Sequence, residues 1–229
     1  MGRTEKYRVL DGTVLKIIGM VSMVFDHVGD IFFPEQTWMR IIGRIAMPIF
    51  AFFVAEGFHY THDRGKYLCR MGIFALISEV PFDLMATGKV LEFGHQNIMF
   101  TFLLGILALS CYERITAGGE RWKTAVGVVV LGAFALASAL LRTDYNMLGT
   151  GLVIILYLLR ERKLPVRLLG GMVFYVLLRD KGIYTFGLLG FLPLFLYNGK
   201  KGKGLKYLFY VFYPGHLLLI YILKMLLRA

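Results

Sequence analysis

Nine apolar stretches follow one another along this 229-residue chain, separated by short connections rich in Lys and Arg. A helix needs about 20 apolar residues to cross the hydrocarbon core of a bilayer. Within lipid, its backbone polar groups must be satisfied inside the segment. The stretches lie at 13–33, 38–60, 67–87, 97–113, 123–141, 147–159, 165–179, 184–198 and 205–227, the sixth and seventh being short. Composition agrees: 57% of residues are hydrophobic and 18% charged, with a mean hydropathy of +0.64. Soluble domains have roughly 45–50% and about 25% respectively. The chain therefore reads as one all-α integral-membrane domain over 1–229, a polytopic bundle of eight or nine helices.

Short connections make successive helices antiparallel neighbours, so the basic residues can be assigned to sides. With the N-terminus cytoplasmic, one side receives Arg3, Lys6, Arg8 and Lys16, then Arg64, Lys66 and Arg70, then Arg114, Arg121 and Lys123. The same side takes Arg160, Arg162, Lys163 and Arg167, and Lys200, Lys201, Lys203 and Lys206. The other side takes Arg40, Lys89, Arg142, Arg179, Lys181, Lys224 and Arg228, which leaves Arg44 inside the second span. Basic residues favour the cytoplasmic face. A bacterial cytoplasmic membrane is expected, with the C-terminus outside if there are nine spans. The net charge of +11 is then a matter of topology and anionic-lipid contact rather than nucleic-acid binding. The first span reads as uncleaved, because Lys16 interrupts it and no small-residue cleavage site follows. Cys69 and Cys111 show no metal-type spacing and read as free thiols at inner helix ends.

Against this apolar background, Asp26 and His27 stand side by side in the first span, about 9 Å from its outer end at 1.5 Å per residue. Arg44 lies at the same depth in the second. Ionisable groups in a membrane helix are costly and mark function by default, and a buried arginine needs an anion. Adjacent helical residues point about 100° apart. Asp26 is therefore expected to hold Arg44, while His27 takes its orienting partner from another helix, Glu79 or His216. An imidazole titrates near neutral pH, which suits His27 to proton transfer. Glu79 and Asp83 in the third span, Asn97 opening the fourth, Asp144 and Tyr145 in the next outer turn, and Tyr213 and His216 in the last span gather in the same zone. Pro214, between the last two, is expected to loosen the helix there. Plainer readings accompany these. Gly19, Ser22, Gly29 and Gly43 serve close packing. Glu56, His59 and His62 are interfacial, and Tyr197, Tyr207 and Tyr210 are aromatic-belt anchors.

The run Lys16-Ile-Ile-Gly-Met-Val-Ser-Met-Val-Phe-Asp26-His27-Val-Gly29, followed by Arg40-Ile-Ile-Gly43-Arg44-Ile-Ala46-Met-Pro48-Ile-Phe50, resembles the TraX family of conjugation-associated membrane proteins. Glu56-Gly57-Phe58, Tyr67-Leu-Cys-Arg70, Asn97-Ile-Met-Phe-Thr101, Tyr197-Asn198-Gly199 and the Phe212-Tyr213-Pro214-Gly215-His216 ending extend the resemblance over nearly the whole chain. The Ser78-Glu79-Val80-Pro81-Phe82 segment and Met47 depart from the family pattern. The resemblance implies acetylation of a pilin amino terminus or another envelope acceptor, with acetyl-CoA as acyl donor and no metal. On that reading His27 is the base, Asp26 and Arg44 complete the catalytic set, and Arg44 or Asn97 stabilises the oxyanion. Glu79, Asn97, Asp144, Tyr145, Tyr213 and His216 bind substrate, and Arg70, with Arg64, Lys66 and Lys200 to Lys206, meets the phosphates of the donor. An acyl-enzyme route lacks an evident nucleophile. Two other classes stay open: a proton-coupled transporter or flippase, which would usually carry an internal repeat, and a non-catalytic assembly factor.

Overall fold

The computed structural model describes residues 8–179, 182–204 and 206–228, without the side chains of Lys206 and Arg228. Arg3, Lys6 and Lys181 of the charge assignment lie outside the described residues. Helices follow one another from α1 (Gly12–Phe32) through α2 (Thr37–Gly43), α3 (Ala46–Tyr60), α4 (Arg64–Thr87), α5 (Ile98–Thr116) and α6 (Arg121–Leu140). They continue with α7 (Asn146–Leu158), α8 (Leu164–Leu178), a 3-10 segment (Gly182–Gly190), α9 (Phe191–Phe195) and α10 (Lys206–Arg228). Among the described residues there are two isolated β-bridges and no named strand.

Four segments are long and apolar enough to cross a membrane: Thr37–Tyr60, Ile98–Thr116, Arg121–Leu140 and Tyr207–Leu227. At 21 and 24 residues, α1 and α4 have the length but carry several charged side chains each. α7 and α8 are shorter apolar helices. The sequence reading therefore anticipates the helical segments more closely than it establishes a span count.

Two expected spans are built differently. The second, continuous over Thr37–Tyr60, loosens locally at Arg44–Ile45, between α2 and α3, where both residues keep helical backbone angles. Proline lacks an N–H, and its ring crowds the carbonyl four residues earlier; for Pro48 that residue is Arg44. The expected helix at 184–198 is instead a 3-10 segment running into the five-residue α9. Its glycines fit where a side chain would not. A Cβ at Gly187 would stand 1.9 Å from the Tyr175 hydroxyl, and one at Gly190 would stand 2.5 Å from the Ile45 carbonyl oxygen. α10, by contrast, runs unbroken through Pro214.

Local chemistry sets several helix ends. Asp11 caps α1 by accepting from the Thr13 and Val14 amides, both at 2.9 Å. Asn97 caps α5 through the Met99 amide at 2.9 Å. Each cap satisfies amides that have no intrahelical partner. α1 packs on α2, α3 and α10, while α5 lies among α4, α6 and α7. Phe52, Phe58, Leu109, Leu152, Tyr157 and Phe191 lie in the fully buried centre.

The tightest approach joins α1 to α2. A Cβ at Gly43 would lie 2.2 Å from the Asp26 Cβ. Gly43→Ala should therefore cost about 1–3 kcal/mol, as overpacked sites do, and lower the melting temperature of the detergent-purified protein. Gly132→Ala, where a Cβ meets nothing within 4 Å, should leave that temperature nearly unchanged in the same measurement.

Candidate active site

The loosening ahead of Pro48 leaves Arg44 buried at the start of a turn, facing α1. Its Nη2 lies 2.7 Å from both carboxylate oxygens of Asp26. Nη1 donates to the Tyr145 hydroxyl at 3.0 Å. The guanidinium also lies over the Tyr145 and Tyr184 rings, at 5.7 and 5.1 Å. Arg40 approaches the same carboxylate at 3.1 Å, donates to the Asp26 carbonyl at 3.2 Å, and reaches Asp30 at 3.1 Å. The Asp26–Arg44 pairing anticipated from equal depth is present. Arg40 and Tyr184, which depth matching left out, complete its surroundings.

His27 points away from that pair. Its Nδ1 lies 2.9 Å from His216 Nε2, and His216 Nδ1 lies 2.9 Å from the Phe212 carbonyl oxygen. A carbonyl only accepts, so His216 carries its proton on Nδ1 and offers a lone pair at Nε2. His27 must then donate from Nδ1. Its own Nε2 is left with the lone pair, the tautomer a general base requires. Of the two proposed orienting groups, the structure brings His216 to His27. Glu79 lies elsewhere.

Glu79 and Asn97 form a separate joint between α4 and α5. The Asn97 side-chain amide donates to Glu79 and, at 2.9 Å, to the Ala75 carbonyl. With its oxygen capping α5, every polar atom of this side chain is engaged. Asn97 is wholly buried and leaves no donor for an oxyanion. Arg44, too, stands behind the cavity rather than on its wall.

That cavity holds about 680 Å³. At one end are Asp26, His27, Asp144, Tyr145 and Tyr213; at the other are Lys16, Glu56, Arg70, Lys201 and Lys203, with Met47, Phe50, Phe53 and Met99 among the apolar lining. Eleven residues of α1 separate Lys16 from His27, about 16 Å along the helix axis. His216 and Glu79 are not on the wall.

Glu56 was expected at an interface and Arg167 at the cytoplasmic end of the span at 165–179. They meet instead as a buried pair at 2.5 Å, with Arg167 Nε donating to the Leu156 carbonyl at 2.6 Å. Tyr197, expected as a belt anchor, is buried against the edges of Phe52 and Phe53. Beyond the helices, His95 faces Asp144 at 3.8 Å. The nearby Asp144 carboxylate raises the His95 pKa above its ordinary value, against the opposing effect of burial.

The TraX protein family model matches residues 11–224. The chain belongs to the TraX family. Among relatives, it is 30% identical to the probable fimbrial assembly protein FimC, serogroup H1, of Dichelobacter nodosus, over 93% of this chain and 96% of that one. It is 28% identical to Protein TraX of Escherichia coli over 63% of this chain and 54% of the relative, so it spans about half of that protein. No solved structure matches it. Family membership and the apolar helices together make this a membrane protein of the TraX type.

Asp26→Asn should strand the Arg44 charge and cost about 3–5 kcal/mol, as breaking one side of a buried pair does. Arg44→Gln should cost less, because Arg40 still faces Asp26. Thermal unfolding of the two variants beside wild type checks the order. In an NMR titration, His95 should deprotonate above the ordinary value of about 6.5, and Asp144→Asn should bring it back down. Its stabilising attraction is fully present below that ordinary value and is lost as pH rises through the raised midpoint.

Proposed function

We propose that this TraX-family chain is a membrane-embedded acyltransferase, moving an acetyl or similar acyl group from a CoA thioester to an amine or hydroxyl. The single observation that best supports this is the His27 tautomer on the wall of a cavity whose far end is basic. The family's association with pilus biology, and a relative named for fimbrial assembly, favour a pilin amino terminus or another envelope molecule as acceptor. A cytoplasmic membrane location follows from the same reading, with the basic end facing the cytosol and its acyl-CoA, and with anionic lipid at the basic surface.

In this mechanism His27 Nε2 takes the proton from the acceptor nitrogen or oxygen as that atom attacks the thioester carbonyl carbon. The carbonyl π electrons move to oxygen, giving a tetrahedral oxyanion. Tyr145 is placed to donate to it, because its hydroxyl oxygen already accepts from Arg44 and its own O–H remains free. When the C=O bond re-forms, the C–S bond breaks, and the departing thiolate takes the proton from the His27 imidazolium. The products are an amide or ester and free CoA. His216 keeps the His27 ring oriented, and Asp26, itself flanked by Arg40, holds the guanidinium that polarises Tyr145. Arg70 at the basic end is available to the donor phosphates.

The test is label transfer from radioactive acetyl-CoA to pilin amino-terminal peptides, sugars and lipids by purified, folded protein. His27→Ala should reduce transfer by about 10²–10⁴-fold, the usual contribution of a general base. Tyr145→Phe should reduce it by about 10²–10³-fold, as loss of an oxyanion donor does. Folded wild-type protein that labels none of these acceptors counts against the enzyme reading and in favour of a non-catalytic assembly role, in which His27→Ala would still support pilus assembly.

A further inference from the structure

A second cavity of about 160 Å³ adjoins the basic end of the first and shares Tyr197 and Gly199 with it. Four arginines line it: Arg8, Arg160, Arg162 and Arg167. Three come from the α7–α8 connection and the first turn of α8, and the fold brings Arg8 to them from the start of the chain. Arg8 lies two residues before Leu10, whose amide donates to the Leu196 carbonyl at 3.0 Å and whose carbonyl accepts from Asn198 at 2.9 Å. Arg160 and Arg162 sit in the turn after α7, and Arg167 at the start of α8.

The acidic groups nearby do not match this charge. Glu56 takes Arg167 Nη1, and Glu161 lies 3.3 Å from Arg160 Nε. Among the described residues, Arg8 and Arg162 have no ion pair. Arg167 is 5% exposed, and its Nη2 is buried without any hydrogen-bond partner. A buried donor left without an acceptor is unfavourable, and so is gathering like charges around one small space. An anion with several oxygens relieves both. The planar guanidinium fork suits phosphate oxygens in particular. The volume suits a phosphoryl group and a few waters; a nucleoside would have to lie outside it.

We propose that the four-arginine cavity binds a phosphate monoester or diphosphate group at the mouth of the large cavity. The anion site stands on its own geometry. Assigning its occupant to the nucleotide end of acyl-CoA rests on the acyltransferase reading, whereas the headgroup of an anionic lipid would supply the same chemistry.

The experiment uses the full chain in neutral detergent or in nanodiscs. Wild type is compared with Arg8→Ala/Arg162→Ala, a pair without ion-pair partners among the described residues, and with Arg114→Ala/Arg121→Ala, which removes the same charge elsewhere. Titrants are coenzyme A, dephospho-coenzyme A and inorganic pyrophosphate, followed by calorimetry. Phosphatidylglycerol is compared with phosphatidylcholine as nanodisc lipid by native mass spectrometry, and matched melting temperatures establish folding. The first pair should weaken binding of a phosphate-bearing titrant about tenfold or more, the effect of losing charge-assisted hydrogen bonds, while the control pair leaves it near wild type. Selective loss with coenzyme A supports the site with a nucleotide occupant; selective loss with phosphatidylglycerol supports it with a lipid occupant. Equal behaviour of the two variant pairs toward every titrant overturns the site. Acetyl transfer measured in parallel separates the two claims. Transfer without arginine-dependent binding overturns the phosphoryl site alone, and arginine-dependent binding without transfer supports the site while the enzyme reading fails.

Discussion

The buried Asp26–Arg44 pair is the constraint from which the rest of the site follows. Two charges removed from water must face each other with little room for error, and here the backbone is shaped to allow it. Gly43 lets α2 approach α1 until the Asp26 Cβ fills the space where its own side chain would stand. Pro48 removes one amide from the ladder where the helix loosens at Arg44–Ile45, and the Arg44 guanidinium there meets that carboxylate. Arg44 then reaches on to Tyr145, so the turn before α7 is held from α1 through two side chains. Tyr145 itself adopts φ 59°, a left-handed conformation that is uncommon outside glycine. Strain of this kind persists only where the surroundings over-determine it, and the Arg44 bond, with Tyr184 edge-on to the ring at 5.8 Å, supplies such surroundings.

The neighbouring residue uses a different logic. His27 is held through hydrogen bonding alone, from the Phe212 carbonyl through His216, and the acceptor-only character of that carbonyl propagates to the tautomer of both rings. The two rings lie edge to edge along this bond, 13° from parallel with centroids 5.1 Å apart, and Phe212 stacks on His216 at 4.6 Å. Orientation is thus set without a carboxylate beside the imidazole. Adjacent positions on one helix turn serve separate networks, which is what a 100° step between neighbours permits.

Depth along straight antiparallel helices was legible in the sequence, and it led to Asp26–Arg44 and offered Glu79 or His216 as the partner for His27, of which His216 is the one in contact. Features that depend on where helices stop were harder to read. The signal for the loosening at Arg44 was present in Pro48, four residues on, but a continuous apolar run concealed it. Glu56 was read as interfacial, and Arg167 by the rule that counts basic residues toward the cytoplasmic side. That rule reports side of membrane and is silent on burial, so it could not show that the start of α8 folds inward to meet α3. Asn97 illustrates the opposite error. Its polarity was visible, but its cap to Met99 and its bonds to Ala75 and Glu79 consume every donor and acceptor, and only coordinates reveal that.

The short elements bear on how one cavity joins two chemically different ends. α7 has 13 residues, about 20 Å of helix, against a hydrocarbon core of about 30 Å. A short helix is accommodated by local thinning of the bilayer or by packing against longer neighbours, and α7 packs between α3, α5, α6 and α8. The turn before it carries Asp144 and Tyr145, which line the same cavity as His27 of α1. The basic end of the cavity lies about 16 Å away along α1, within reach of an extended flexible chain anchored there by its charged end. Short α7 is therefore part of how the site is made, because the turn at its start sets the Tyr145 hydroxyl against Arg44.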